Sequence, residues 1–209
     1  MLLVFRSHVP TQTPPEIVDA VKETARLLAL DIADYMLKPS VNLKCRHAST
    51  MRRVVDELSS RHEIVFSSIS RKLGSRVAGD GPTAARWRYT FIAVANELFA
   101  DGHHNWGRIV TIYAFAGWLV RQHCTAETSR DELACTIATT AGDFVADQLA
   151  DWICRQGGWV KSCLSDLYLC VVISSDFLHV FLDAVYCYRP SIVVCWSVCQ
   201  SVCHISEPC

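Results

Sequence analysis

The sequence predicts an all-α protein. Glycine and proline are few and fall between long stretches with apolar residues three and four apart. Alternating β-branched segments closed by two-residue turns are missing before the C-terminal tail. The stretch "NWGRIVTIYAFAGWLV" is apolar in nearly every direction of a helical wheel, while its neighbours are apolar on one side only. That combination describes amphipathic helices around a central buried one.

The first helix is expected to start after "TQTPP", since proline is tolerated at a first helical turn, and to run to Pro39. Ile17, Val21, Ala25, Leu28, Ile32 and Tyr35 form its predicted buried face. "KPSVNLKCRH" is a short connection. A second helix follows in "ASTMRRVVDELSSR", with Ser49 or Thr50 as its cap and Met51, Val54, Val55 and Leu58 on one side. Ile64, Val65, Phe66, Ile69 and Leu73 imply a further, separately tilted helix.

"GSRVAGDGP" reads as a break, and "TAARWRYTFIAVANELFA" as an amphipathic helix ending at Asp101-Gly102. The apolar run at 105–120 is shorter than the ~20 residues that a bilayer core requires, which places it inside a bundle. "TSRDELACTIATTAGDFVADQLADWI" is read as one long helix with Ser129 as cap and Glu132 completing a capping box. Gly157-Gly158 should stop it and let the chain leave at a sharp angle.

Composition narrows the function classes. The chain has 209 residues, 51% of them hydrophobic and 20% charged, enough for one sizeable core. A net charge of −1 lacks the concentrated basic face that nucleic acid demands, so no nucleic-acid partner is expected. Seven of the eleven cysteines lie in the last 47 residues, and the remainder of the chain reads as a reduced, intracellular protein. Residues 1–13 are expected to form a flexible arm rather than a secretory leader.

No nucleophile elbow, phosphate loop or motif-placed acid and base is present, so the protein is not expected to be an enzyme or to carry a cofactor. His103-His104 with His123 and Cys124 match no tetrahedral spacing, and no metal is expected there. Cys195, Cys199, Cys203 and His204 would share one helical face, an arrangement that suits a metal or palmitoylation, but a loosely constrained tail is the stronger reading.

Two motifs in order, "ELFADGHHNWGRIVTIYAFAGWL" and "DWICRQGGW", resemble the first and second homology regions of the Bcl-2 family of apoptosis regulators. "MRRVVDEL" is similar to the family's BH-3 pattern, a long apolar residue, three spacers and a small residue before Asp; here these are Met51, Val54, Val55, Asp56 and Leu58. "ARLLALDIADYML" is a weaker likeness to the family's amino-terminal homology helix. The resemblance spans residues 14–168 and implies a Bcl-2-like helical bundle, amphipathic helices around a central hydrophobic helix hairpin.

The resemblance further implies a hydrophobic groove that receives the BH-3 helix of a pro-apoptotic family member, by helix-in-groove recognition. By position its walls are Leu58, His62, Phe66 and Ile69, with Val94 and Leu98 opposite, over a floor of Val110, Thr111 and Phe115. Asn105 and Arg108 match the pair that meets the incoming aspartate, a role suited to a planar, permanently charged fork. Gly107 leaves room for the ligand backbone, and Trp152, Gly157, Gly158 and Trp159 close the groove end by packing.

The family has survival and pore-forming branches. Val55 stands where a donated BH-3 helix carries a small residue, and overpacking there costs ~1–3 kcal/mol, so the chain looks built to receive such a helix. The short link between the first two helices agrees with a pro-survival protein. Against it, "DGHHNW" holds one more residue before the tryptophan than most pro-survival relatives, a spacing of the pore-forming branch, whose members permeabilise the outer mitochondrial membrane.

Residues 169–209 form a Cys-rich apolar tail. The long run at 167–188, which leads into it, carries Asp176, His179 and Asp183, and each aspartate costs ~2.5–3.5 kcal/mol near a bilayer centre. The tail is therefore an atypical membrane-associating segment at most. The expected location is cytoplasmic with association to the mitochondrial outer membrane.

Overall fold

Helix α1 spans Pro15–Leu37, with proline in its first turn, followed by α2 Ala48–Arg61 and a helical stretch at 63–68. Beyond them come α3 Ala84–Leu98, α4 Trp106–His123, α5 Glu127–Gln148, α6 Ala150–Arg155 and α7 Gly158–Lys161. The computed structural model describes residues 14–39, 41–68, 84–124 and 127–161, and the described residues contain no strand. The expected arm at 1–13, groove residue Ile69, the break at 74–82 and the tail at 169–209 lie outside the described residues.

Helix α4 is the centre. Every residue from Arg108 to Val120 is buried, as a helix apolar all round requires. Helices α1, α2 and α5 all pack on it, and α3 rests on α5. Helix α3 also reaches α4 through the stacked rings of Phe91 and Phe115.

Close helix approach depends on two glycines. A Cβ at Gly117 in α4 would stand 2.8 Å from Ile32 Cγ2, and one at Gly142 in α5 would stand 2.9 Å from the Cα of Arg26 in α1. Both sites let α1 sit deep against the central hairpin of α4 and α5. Tyr113 completes this contact by donating its hydroxyl to the Ala25 carbonyl at 3.1 Å.

Several local expectations need correction. Ile17 is 49% exposed, because α1 begins before the bundle that covers its later turns. Neither Ser49 nor Thr50 caps α2: the helix is already under way at Ala48, with His47 at the cap position and no side-chain cap bond. Likewise α5 has started by Glu127, so Ser129 lies within its first turn instead of preceding it. The long helix also breaks at Leu149, and the shorter α6 turns to pack on α1.

Helix α2 is fastened to α1 by a polar cluster. Arg52 donates from Nε to Asp31 Oδ2 at 2.7 Å and from Nη2 to Asp31 Oδ1 at 2.8 Å, and Nη2 also reaches the Asn42 carbonyl at 2.7 Å. The Lys44 backbone N–H donates to Asp31 Oδ1 at 2.9 Å. The Arg52 guanidinium lies 4.8 Å above the Tyr35 ring, and the Tyr35 hydroxyl donates to Asp56 Oδ2 at 2.7 Å. That hydrogen bond to a carboxylate, reinforced by burial, raises the Tyr35 pKa.

Candidate functional site

The head of α4 is built by a turn and a cap. Gly102 adopts a φ of 72°, in the left-handed region that favours glycine, and its N–H reaches the Phe99 carbonyl at 3.0 Å to close the end of α3. Asn105 is extended, with φ −149° and ψ 162°, and its side-chain oxygen accepts the Arg108 backbone N–H at 2.8 Å. It is therefore the N-cap of the central helix, which satisfies one of the four donors a helix start leaves open. Gly107 sits in the first turn, and its carbonyl accepts the Thr111 hydroxyl at 3.2 Å.

Arg108 is not at a solvated rim. It is only 5% exposed, and its guanidinium grips the Asp101 carboxylate with both arms: Nη1 donates to Oδ1, and Nη2 donates to Oδ2 at 2.7 Å. Nη1 also donates to the His103 carbonyl at 2.8 Å. Asp101 is itself 45% exposed along its side chain and accepts the His103 backbone N–H at 2.9 Å. His103 Nδ1 lies 3.4 Å from Asp101 Oδ2. The Arg108 hydrogen bonds, with help from that N–H, hold the Asp101 carboxyl well below the usual carboxylate range.

An aromatic train runs from this loop to the end of the chain's described part. His104 lies between Phe99 at 5.6 Å and Trp152 at 6.3 Å. Trp152 meets Trp106 edge-on at 5.3 Å, and Trp106 lies 5.6 Å from Trp159. Trp159 contacts Tyr113 and donates its indole N–H to the Val21 carbonyl at 3.1 Å. Gly157 and Gly158, with φ of 90° and 73°, make the turn that brings Trp159 back. The histidine before Asn105 is thus a stacking residue that joins α3 to α6.

Of the positions assigned to groove walls and floor, Leu58, Phe66, Val94, Leu98, Val110, Thr111 and Phe115 are all buried instead of lining an open cleft. Phe66 stacks on Trp118 at 6.2 Å and Phe91 on Phe115 at 5.4 Å, so aromatic rings from both flanks lie on α4. His62, half-buried at the end of α2, has its pKa lowered, first by burial and then by Arg61. The BH-3-like face of α2 also points inward, with Met51, Val54, Val55 and Leu58 buried and Asp56 held by Tyr35.

Two polar partners were not anticipated from the sequence. Asp101 could have been found from the Asp-Gly turn that places an opposite charge shortly before Arg108. Asp31 could have been found from its place beside Leu28, Ile32 and Tyr35, since a carboxylate on an apolar face needs a cation.

Comparison with known proteins defines the family of this chain. The family model described as "Apoptosis regulator proteins, Bcl-2 family" matches residues 51–159. The chain belongs to the Bcl-2 family.

It is 37% identical over 109 residues to the apoptosis regulator BAX of Bos taurus, covering 52% of this chain and 50% of that protein. It is 29% identical over 182 residues to Bcl-2-like protein 1 of Rattus norvegicus, covering 78% of this chain and 70% of that protein. The chain thus spans about half the length of the BAX relatives it matches. Among solved structures, the zebrafish pro-survival protein NRZ in complex with the Bad BH-3 superimposes with a TM-score of 0.60 at 28% identity, covering 72% of this chain and 97% of that one.

Proposed function

We propose that the chain regulates apoptosis by binding the amphipathic BH-3 helix of a pro-apoptotic Bcl-2 family protein, and that it does so in the pro-survival sense. The observation that carries this reading is the seam between α2 and α3. Buried apolar side chains of both helices join the core around α4, and a buried arginine stands at the head of that same helix. A helix entering the seam would find apolar partners in Leu58, Phe66, Val94, Leu98, Val110 and Phe115, and a cation in Arg108. Because those side chains are buried, entry requires the seam to part.

The likeness to NRZ, solved with the Bad BH-3, supports a BH-3 helix as the ligand class. The receiving role is supported by Val55, which fills the bundle interior and would overpack a partner's groove. No described helix is long and apolar enough to cross a membrane, so association with the mitochondrial outer membrane is a proposal resting on family membership.

Titrating the full chain with synthetic BH-3 peptides tests the reading. Binding in the micromolar range or tighter is expected, and no binding tighter than high micromolar overturns it. A pore-forming effector is the second reading, favoured by the extra residue in "DGHHNW" and the likeness to BAX. Release of dye from liposomes upon addition of a BH-3 peptide would decide for it, and intact liposomes against it.

A further inference from the structure

Arg108 is buried, yet the carboxylate it holds is not. Asp101 takes both arms of the guanidinium while leaving 45% of its own side chain in water. A buried guanidinium without an anion is costly, because its desolvation is no longer compensated. The half-exposed carboxylate is under no such constraint: set free from Arg108, it can hydrate and still accept the His103 N–H. The pair is therefore asymmetric, with one partner that must remain occupied and one that can leave.

We propose that Asp101 is a resident stand-in for the ligand's carboxylate, so that an incoming helix binds Arg108 by exchange. This rests on the reading of the seam as a BH-3 site and adds a specificity-determining residue to it. In the free protein Asp101 satisfies the fork; in the complex the ligand's aspartate replaces it and Asp101 turns to solvent and the His103 N–H. The stand-in has two effects. It keeps the unliganded site stable, and it offsets part of what the ligand's carboxylate contributes, since one charge-assisted fork is broken as another forms. Asp101 acts through Arg108 and is a positioning residue.

The test measures two peptides against two proteins. A synthetic Bad BH-3 peptide and the same peptide with its aspartate changed to asparagine are titrated against the full chain and against Asp101→Asn. The variant keeps an acceptor oxygen for Arg108 but removes the competing charge. The ratio of the two peptides' Kd values should rise by about tenfold in Asp101→Asn, the scale of one hydrogen bond to a charged group.

A ratio that is unchanged or falls overturns the exchange, because a residue that merely shapes the loop would weaken both peptides alike. Asp101→Ala, which also removes the acceptor, should raise the ratio at least as far. If neither peptide binds any of the proteins, the BH-3 reading itself fails and the exchange fails with it. If the peptides bind and the ratio does not move, the BH-3 reading stands and the exchange alone is wrong.

Discussion

Replacing Arg52 with methionine tests whether α2 is fastened to α1 by charge or only by packing. Asp31 is 1% exposed and Arg52 8%, so neither ion of the pair is solvated by bulk water. The substitution keeps most of the apolar stem and removes the guanidinium, together with its contact over the Tyr35 ring. Asp31 then loses two of its charge-assisted bonds and retains the Lys44 N–H. Leaving one member of a buried pair without its partner costs ~3–5 kcal/mol. For a chain of this size each kcal/mol moves Tm by about 2–4 °C, which gives a drop of roughly 6–20 °C. Thermal and urea denaturation followed by circular dichroism would measure the Tm and the free energy, with the Asp31→Leu/Arg52→Met double variant beside the single one. The double variant should recover most of the loss, since no orphaned charge remains. A single variant within ~1 kcal/mol of the parent, or a double variant no better than the single, would refute the reasoning.

Asn105→Ala removes the cap of the central helix and should cost about 1 kcal/mol of unfolding free energy, measured in the same urea assay. Gly142→Ala should destabilise more than Gly117→Ala, because the added methyl meets the Arg26 backbone in the first case and yielding Ile32 and Met36 side chains in the second. Overpacking of ~1–3 kcal/mol, partly offset by alanine's helix propensity, sets the scale, and differential scanning calorimetry would rank the two. The Asp101 carboxyl titrates lower in the folded chain than its unfolded value of about 3.9, so its stabilising contribution is complete above that value and is lost as pH falls through the folded one. Stability measured against pH should therefore show a shallower acid limb in Asp101→Asn than in the parent.

The helices were legible because their apolar spacing is regular, and the central one because its apolar character surrounds it on all sides. Helix starts were less legible. Ser49 and Ser129 carry good capping side chains but stand inside helices that begin earlier, where the preceding backbone had already turned. Motif positions identified Arg108 and Asn105, but not what they do in the free chain. Spacing names a fork that suits a carboxylate; it cannot say that the chain's own Asp101 folds back onto it. Most positions assigned to the groove are buried, and that burial depends on how tertiary packing closes over them, which no periodicity records.

Among the described residues two arginines are buried, and the bundle treats them differently. Arg52 is matched to a carboxylate more deeply buried than itself, and α1, the following link and α2 all contribute to that site. Releasing either ion there would leave a charge in the interior, so the pair can separate only if the two helices do. Arg108 is matched to a carboxylate at the surface, on a short loop between α3 and α4. Its partner can leave without any helix moving, provided that another anion arrives. Salt should distinguish them, because mobile ions screen charges they can approach and leave dry pairs largely untouched. Raising ionic strength should therefore diminish the stability lost in Asp101→Asn while leaving that lost in Arg52→Met nearly constant. Equal salt sensitivity of the two losses would mean that Asp101 is as firmly held as Asp31, and the head of α4 would then be a structural joint instead of a receptor.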